Sequence, residues 1–251
     1  MTTTESPPPK DAGSTSADCY ARGLRRMRLC DVAGYQEAVA LFIEALELAP
    51  GSAEVYAALA EAYAHWGWRR EIAGLPRHGH YEDAHATACR AIELAPKSGD
   101  AHRAMAAALS FGRRRDPVRR LSEARRAWEI NPYNSENCLE LWRARGRRVD
   151  DPLGEQAVAL DPSSCAALID LGVASTEAGR HHEAAYYLGR ALELNPSNLL
   201  AQYDLAMVLL RQSRPDKARD RITAALRLEP REPLLLRGLE TVMLELGGAL
   251  A

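Results

Sequence analysis

Four side chains in one short stretch have the types and spacing to hold a metal ion: His78, His80, Asp83 and His85. Imidazole nitrogens and carboxylates are ordinary ligands for zinc and iron. The spacing is generic, though, and no fourth strong ligand is fixed. The stretch is therefore read as a solvated loop at a helix start, with no bound metal. His181 and His182 sit at a turn and call for no function. No Ser/His/Asp grouping, phosphate-cradling glycine loop or paired-carboxylate signature occurs. The chain is expected to be no enzyme and to need no cofactor. Its cysteines, Cys19, Cys30, Cys89, Cys138 and Cys165, are odd in number, and no two stand at CxxC spacing. Reduced thiols in a cytoplasmic protein fit that pattern better than a disulfide framework or a zinc site.

Charge offers a second kind of chemistry. Between Arg113 and Arg148 lie eleven arginines against five acids, a local excess of six positive charges in a chain whose formal net charge is -2. An acidic partner or a phosphate backbone could bind there, with Arg113, Arg114, Arg115, Arg119, Arg147 and Arg148 as the anion-facing set. Aromatic rings that could stack bases are limited to Trp128, Tyr133 and Trp142, and the two tryptophans read as core. The whole chain carries 29 Arg and only three Lys. That bias matches a GC-rich bacterial genome, so a solvated, compositionally arginine-rich face explains the zone as well. Nucleic acid is not favoured as a partner.

The elements that position these residues are helices. Apolar residues make up 47% of the 251 positions, enough to bury a sizeable core. Ala and Leu abound, and β-branched residues are sparse, which favours helix over strand. No run of 18 apolar residues occurs, and the first 18 residues lack an apolar signal segment, so neither membrane insertion nor a signal peptide is expected. Residues 1–18, rich in Thr, Ser and Pro, read as a disordered tail.

A recurrent signature organises the rest: ALELAP at 45–50, AIELAP at 91–96, AWEINP at 127–132, AVALDP at 157–162, ALELNP at 191–196 and ALRLEP at 225–230. The closing prolines are 46, 36, 30, 34 and 34 residues apart. Each unit shows two stretches of helical period. Small residues stand where the helices must cross closely: Ala60, Gly172 and Ala206 on the first, Ala84, Ala184 and Ala218 on the second. Gly179 permits a left-handed helix end between the two, and the proline stops the second helix. No such unit buries both faces alone, so neighbours must stack.

With Leu168, Leu171, Gly172, Ala184, Leu188 and Ala191 in place, the pattern resembles the tetratricopeptide repeat family. The resemblance covers residues 19–246. It implies an all-α fold, a right-handed α-solenoid of antiparallel helix pairs running through 19–251. About six repeats are expected, the first degenerate, with a C-terminal capping helix over 233–246 that solvates the end of the array. An insertion at 68–79 is expected to form a loop between paired helices. The fourth unit is short, opening near Pro152.

The resemblance further implies that the first helix of each unit lines a concave groove. In this chain the groove positions toward the N-terminus are Glu54, Ala57, Glu61, Ala64, Asp100, Arg103, Ala107, Glu136, Leu139 and Arg143, a mixture of charged and apolar residues. Toward the C-terminus they are apolar: Ile169, Val173, Leu200, Tyr203, Met207 and Leu210, extended by Leu234 and Leu244. An apolar surface that the fold does not need points to a buried contact, so a partner's apolar peptide or amphipathic helix is the expected ligand. The bland alternative is that closely wound repeats already cover these side chains. The Lys and Asn residues that some members of the family use to grip a terminal carboxylate are absent. The expected role is a non-enzymatic protein–protein scaffold; the alternative is a binder of an acidic partner or nucleic acid through 113–148. Self-association is left open.

Overall fold

A computed structural model describes residues 15–76 and 79–248. Among them are thirteen α-helices and no strand. They are α1 (Ser16–Met27), α2 (Val32–Leu48), α3 (Ala53–Ile72), α4 (His80–Leu94), α5 (Gly99–Ala108), α6 (Pro117–Ile130) and α7 (Ser135–Ala144). Then follow α8 (Leu153–Leu160), α9 (Cys165–Glu177), α10 (His181–Leu194), α11 (Leu199–Arg211), α12 (Pro215–Leu228) and α13 (Pro233–Gly248). Consecutive helices pack as pairs, and the odd-numbered helices form one layer, α3 against α1 and α5, α5 against α7, α11 against α9 and α13.

A local device sets each pair's start. Two residues beyond the proline that ends one pair stands a short polar residue that caps the next helix. Ser52 accepts from the backbone N–H of Val55, Ser98 from Ala101, Asn134 from Asn137, Ser164 from Ala167 and Asn198 from Ala201. Each cap satisfies a backbone donor that has no partner within the helix.

The small residues sit where crowding demands them. Ala60, Ala84, Ala184, Ala206 and Ala218 are fully buried. A side chain at Gly172 would collide with Leu188, and one at Gly154 with the Trp142 ring. In the first pair Gly23 lies against the Phe42 ring in the same way, so α1 and α2 pack as the later pairs do despite the arginines of α1. The eight-residue α8 is the shortest helix.

Three expectations change. The proposed tail over 1–18 overlaps α1: Ser16 opens the helix, with Thr15 and Asp18 forming a reciprocal capping box. Residues 1–14 lie outside the described residues. The insertion is not simply a loop. Helix α3 runs on through Gly67 to Ile72, because Trp66, Trp68 and Arg69 give the added turn something to bury. Trp66 stacks on His80 at 4.1 Å, Trp68 lies 6.0 Å from Phe111, and Tyr81 packs on both Gly67 and Gly112. Deleting this stretch would therefore remove core, where a loop would have tolerated the loss. The third change concerns α13. Leu235 and Val242 are buried as expected, but its other side exposes Leu236, Met243 and Leu244. Leucines on two faces cannot all meet one neighbour, so the helix does not present a purely polar end.

Candidate interaction surface

The layer of odd-numbered helices carries a ladder of ion pairs. Arg103 of α5 donates to Glu61 of α3 at 2.8 Å, to Asp100 at 2.6 Å and to Asn137 Oδ1 of α7 at 3.0 Å. Arg120 meets Glu140 at 2.9 Å, and Arg143 of α7 reaches Asp170 of α9 at 2.5 Å. Arg147 adds contacts to Asp170 and Glu177 at 3.4 and 3.8 Å. Glu61, Glu140 and Asp170 are buried, so the pairing is required: a buried charge without its partner is costly. Burial works to raise the Asp170 carboxyl, but Arg143 and Arg147 outweigh it and hold the group below the usual range.

This ladder uses much of the arginine-rich zone. Arg120 and Arg143 serve it directly, Arg119 pairs with Glu123, Arg145 with Asp151 and Arg148 with Asp150. Of the anion-facing set, Arg113, Arg114 and Arg115 remain as an exposed cluster in the turn between α5 and α6. Arg147 instead pairs with Asp170 and Glu177.

Beyond α9 the layer becomes apolar, and here the solenoid closes on itself. The turn between α1 and α2 is clasped by the turn between α10 and α11. Asn195 Nδ2 donates to Leu29 O at 2.7 Å and to Asp31 Oδ2 at 3.2 Å. Asn198 Nδ2 donates to Leu29 O at 3.0 Å and Cys30 O at 3.1 Å, while its Oδ1 caps α11. Arg28 pairs with Asp161 at 3.5 Å, and Arg237 of α13 donates to Ile72 O, the last residue of α3, at 2.8 Å. Four amide hydrogen bonds at about 0.5–1.5 kcal/mol each make the clasp a substantial tie.

The closure decides where the apolar residues lie. Ile169 is only 3% exposed and shares a cluster with Cys30 and Leu205. It is thus no part of an open surface. Val173 packs half-buried on the same cluster. Tyr203, Met207 and Leu210 pack half-buried on the last cluster, with the Tyr203 ring against Gly238 of α13. Leu200 instead lines a cavity of about 470 Å³ between the two ends of the solenoid. Val32 of α2, Ile72 and Leu75 at the end of α3, and Leu199, Leu228 and Leu234 complete its apolar wall. Arg69, 7% exposed, also reaches it, and its Nε finds no hydrogen-bond partner among the described residues.

Of the histidine stretch, His80 is buried against Trp66 and Tyr63, and His85 lies near Cys89 at 3.7 Å. His78 is outside the described residues. No group of three metal-ligating side chains occurs among the described residues. Sequence reasoning missed Arg69, Asn195 and Asn198. The Asn-Pro-x-Asn string at 195–198 is also present at 131–134, where Asn137, not the turn, does the bridging, so nothing local marks the clasp.

Residues 175–239 match the tetratricopeptide repeat family model. That stretch carries tetratricopeptide repeats, and the chain as a whole shares the fold of tetratricopeptide solenoids. Its fold is shared with a chain of the APC/C hetero-tetramer Cut9–Hcn1, at 15% identity over 91% of this chain and 43% of that one, TM-score 0.63. It is shared also with the human IFIT1 dimer with PPP-AAAA, at 18% identity over 85% and 50%, TM-score 0.63. A third is YrrB, a TPR protein with an unusual peptide-binding site, at 17% identity over 79% and 97%, TM-score 0.50. The tetratricopeptide solenoid described here spans half or less of the Cut9–Hcn1 and IFIT1 chains. At these identities the likeness is one of fold. No curated protein sequence matches the chain. No helix among the described residues is long and apolar enough to cross a membrane.

Proposed function

We propose that this tetratricopeptide repeat protein is a non-enzymatic scaffold that takes a short apolar segment of a partner protein into the cavity between its first and last repeats. The observation that carries the reading is that cavity. Its wall comes from both ends of the solenoid, and Leu200 and Leu234, two groove positions of the sequence pattern, face into it. A space of this size accepts a few side chains of a peptide or helix, and mostly apolar walls with few polar groups are usual for binding sites. The fold supports the class, because repeat solenoids of this family generally act as scaffolds. Free thiols throughout the described residues suit a cytoplasmic setting.

The rival reading, an acidic partner or nucleic acid held through 113–148, is weakened by the number of those arginines already paired within the chain. The test is affinity capture from cells of the source organism, followed by mass spectrometry. Leu200→Glu with Leu234→Glu should lose the partner while keeping the helical spectrum and melting temperature. Retention of the same partner by that folded variant refutes the cavity as the site.

A further inference from the structure

The cavity between the two ends of the solenoid holds a buried cation that has no counter-ion among the described residues. Arg69 stands in the last turn of α3 and is 7% exposed. It lines the cavity together with Ile72 and Ala73, which lie three and four residues on and so share its face of the helix. Among the described residues it makes no ion pair, and its Nε is buried without a hydrogen-bond partner. The Trp68 ring lies 4.8 Å from its guanidinium carbon, and the C-terminus of α3 favours a positive charge. Both stabilise the cation, but neither supplies Nε with an acceptor.

The arginines of the inner layer are treated differently. Arg103, Arg120 and Arg143 each meet a carboxylate of the fold. A buried arginine with unmade hydrogen bonds is costly, so Arg69 leaves a place for an anion from outside the chain. The acids on the cavity wall do not fill that place. Asp31 accepts the Gly34 N–H through Oδ1 at 2.7 Å and Asn195 Nδ2 through Oδ2 at 3.2 Å. Glu232 accepts the Leu234 N–H at 3.3 Å, and Glu229 is exposed. These three carboxylates limit the guest, because they repel a doubly charged group such as phosphate more than a singly charged one. The planar N–H fork of a guanidinium matches a carboxylate.

We propose that the segment docking in the cavity carries an Asp or Glu side chain between apolar residues, and that its carboxylate pairs with Arg69. The inference rests on the docking reading above and adds the chemistry that selects the segment. Apolar residues fill the wall of Val32, Ile72, Leu199, Leu200 and Leu234, and the acid fixes their register. A purely apolar segment leaves the guanidinium dehydrated and unpaired, so it is rejected.

The test pans short random peptides, displayed on phage without a free C-terminus, on the full-length protein. The same library is panned on Leu200→Glu with Leu234→Glu and on Arg69→Met, each checked for its helical spectrum. Peptides enriched on the parent and not on the leucine variant should carry an Asp or Glu flanked by apolar residues. In synthetic peptides, changing that acid to Asn or Gln should weaken binding to the parent about tenfold and leave binding to Arg69→Met unchanged. Where Arg69→Met folds poorly, Arg69→Lys, which keeps the charge and loses the fork, should narrow the preference for the acid. Cavity-dependent peptides with no acid, or an acid preference that survives Arg69→Met, overturn the proposal and leave the docking reading standing. Peptides that bind the leucine variant as well as the parent overturn both. A phosphoserine peptide that binds more tightly than its Asp counterpart, or binding that needs a free chain end, overturns the choice of an acidic side chain.

Discussion

Asp170 and Asp204 occupy the same slot in successive repeats, one 34-residue period apart, and meet opposite fates. Asp170 is gripped by Arg143 of the preceding repeat, and its carboxyl lies below the usual range. Asp204 looks back to the equivalent position of its own preceding repeat and finds Val173. Its Oδ2 is buried with no hydrogen-bond partner, and burial lifts its carboxyl to about 7. The exchange of one arginine for one valine marks the boundary between two regions. From α3 to α9 the inner layer pairs its charges within the fold. From α9 to α13 it is apolar, and it is there that the chain's own ends meet and leave a cavity. Much of the charge that the sequence concentrates in the arginine-rich stretch is thus used within the fold.

The comparison can be broken most severely at the ladder. Arg143→Ala leaves the buried Asp170 without its main cation, and should cost about 3–5 kcal/mol in denaturant unfolding. A loss under about 1 kcal/mol would mean that the ladder is solvated. Next comes the clasp. Asn198→Ala removes the α11 cap and both bonds to the first turn, and should cost about 2 kcal/mol, the cap alone being worth about 1 kcal/mol. Hydrogen exchange should then quicken at residues 28–32 as well as at the start of α11. Exchange confined to α11 would show that the clasp contributes nothing to closure.

Asp204 and His65 predict opposite pH behaviour. Asp204 has a raised carboxyl, so its contribution to stability is complete below about pH 4 and is lost as the pH rises through about 7. Asp204→Asn should therefore gain melting temperature over the parent at pH 8 and much less at pH 4. His65, half-buried against Tyr35 and lowered to about 3 by desolvation and by Arg143, has the reverse sign. Its contribution is present above pH 6.5 and is lost as the pH falls toward 3. His65→Gln should flatten the acid limb of the stability curve. Equal pH slopes in parent and variants would show that neither group is held as described. The smallest effect belongs to the exposed cluster. Arg113→Ala, Arg114→Ala and Arg115→Ala together should change stability by no more than about 0.5 kcal/mol, as surface substitutions do, and should weaken partner capture mainly at low salt.

Much of the fold was legible because it is local. The prolines, the small residues and the 3.6-residue pattern each act within one unit, so Ala60, Gly172 and Ala218 could be assigned from spacing alone. Even the short fourth unit followed from a four-residue deficit. The length of α3 was misread because Gly67 resembles a helix stop, whereas it is the gap that admits the Tyr81 ring. The candidate site was legible only in part. Leu200 and Leu234 could be placed in a groove from their repeat positions, but Ile169 could not be seen to be covered. What covers it is a turn far away in the chain, brought over by the accumulated curvature of five repeats. Curvature is a sum of small packing angles that no single motif carries, and the reach of Arg69 to the cavity depends on the same sum.

The central claim, that the partner docks in the cavity where the two ends meet, is tested most directly by photo-crosslinking in cells. A photoreactive amino acid replaces Leu234 at the cavity wall, or Val118, which is 82% exposed on α6. The account predicts a discrete adduct with one partner from position 234 that disappears with Leu200→Glu, and no such adduct from position 118. An adduct from position 118 and none from 234, in proteins that both fold, contradicts it.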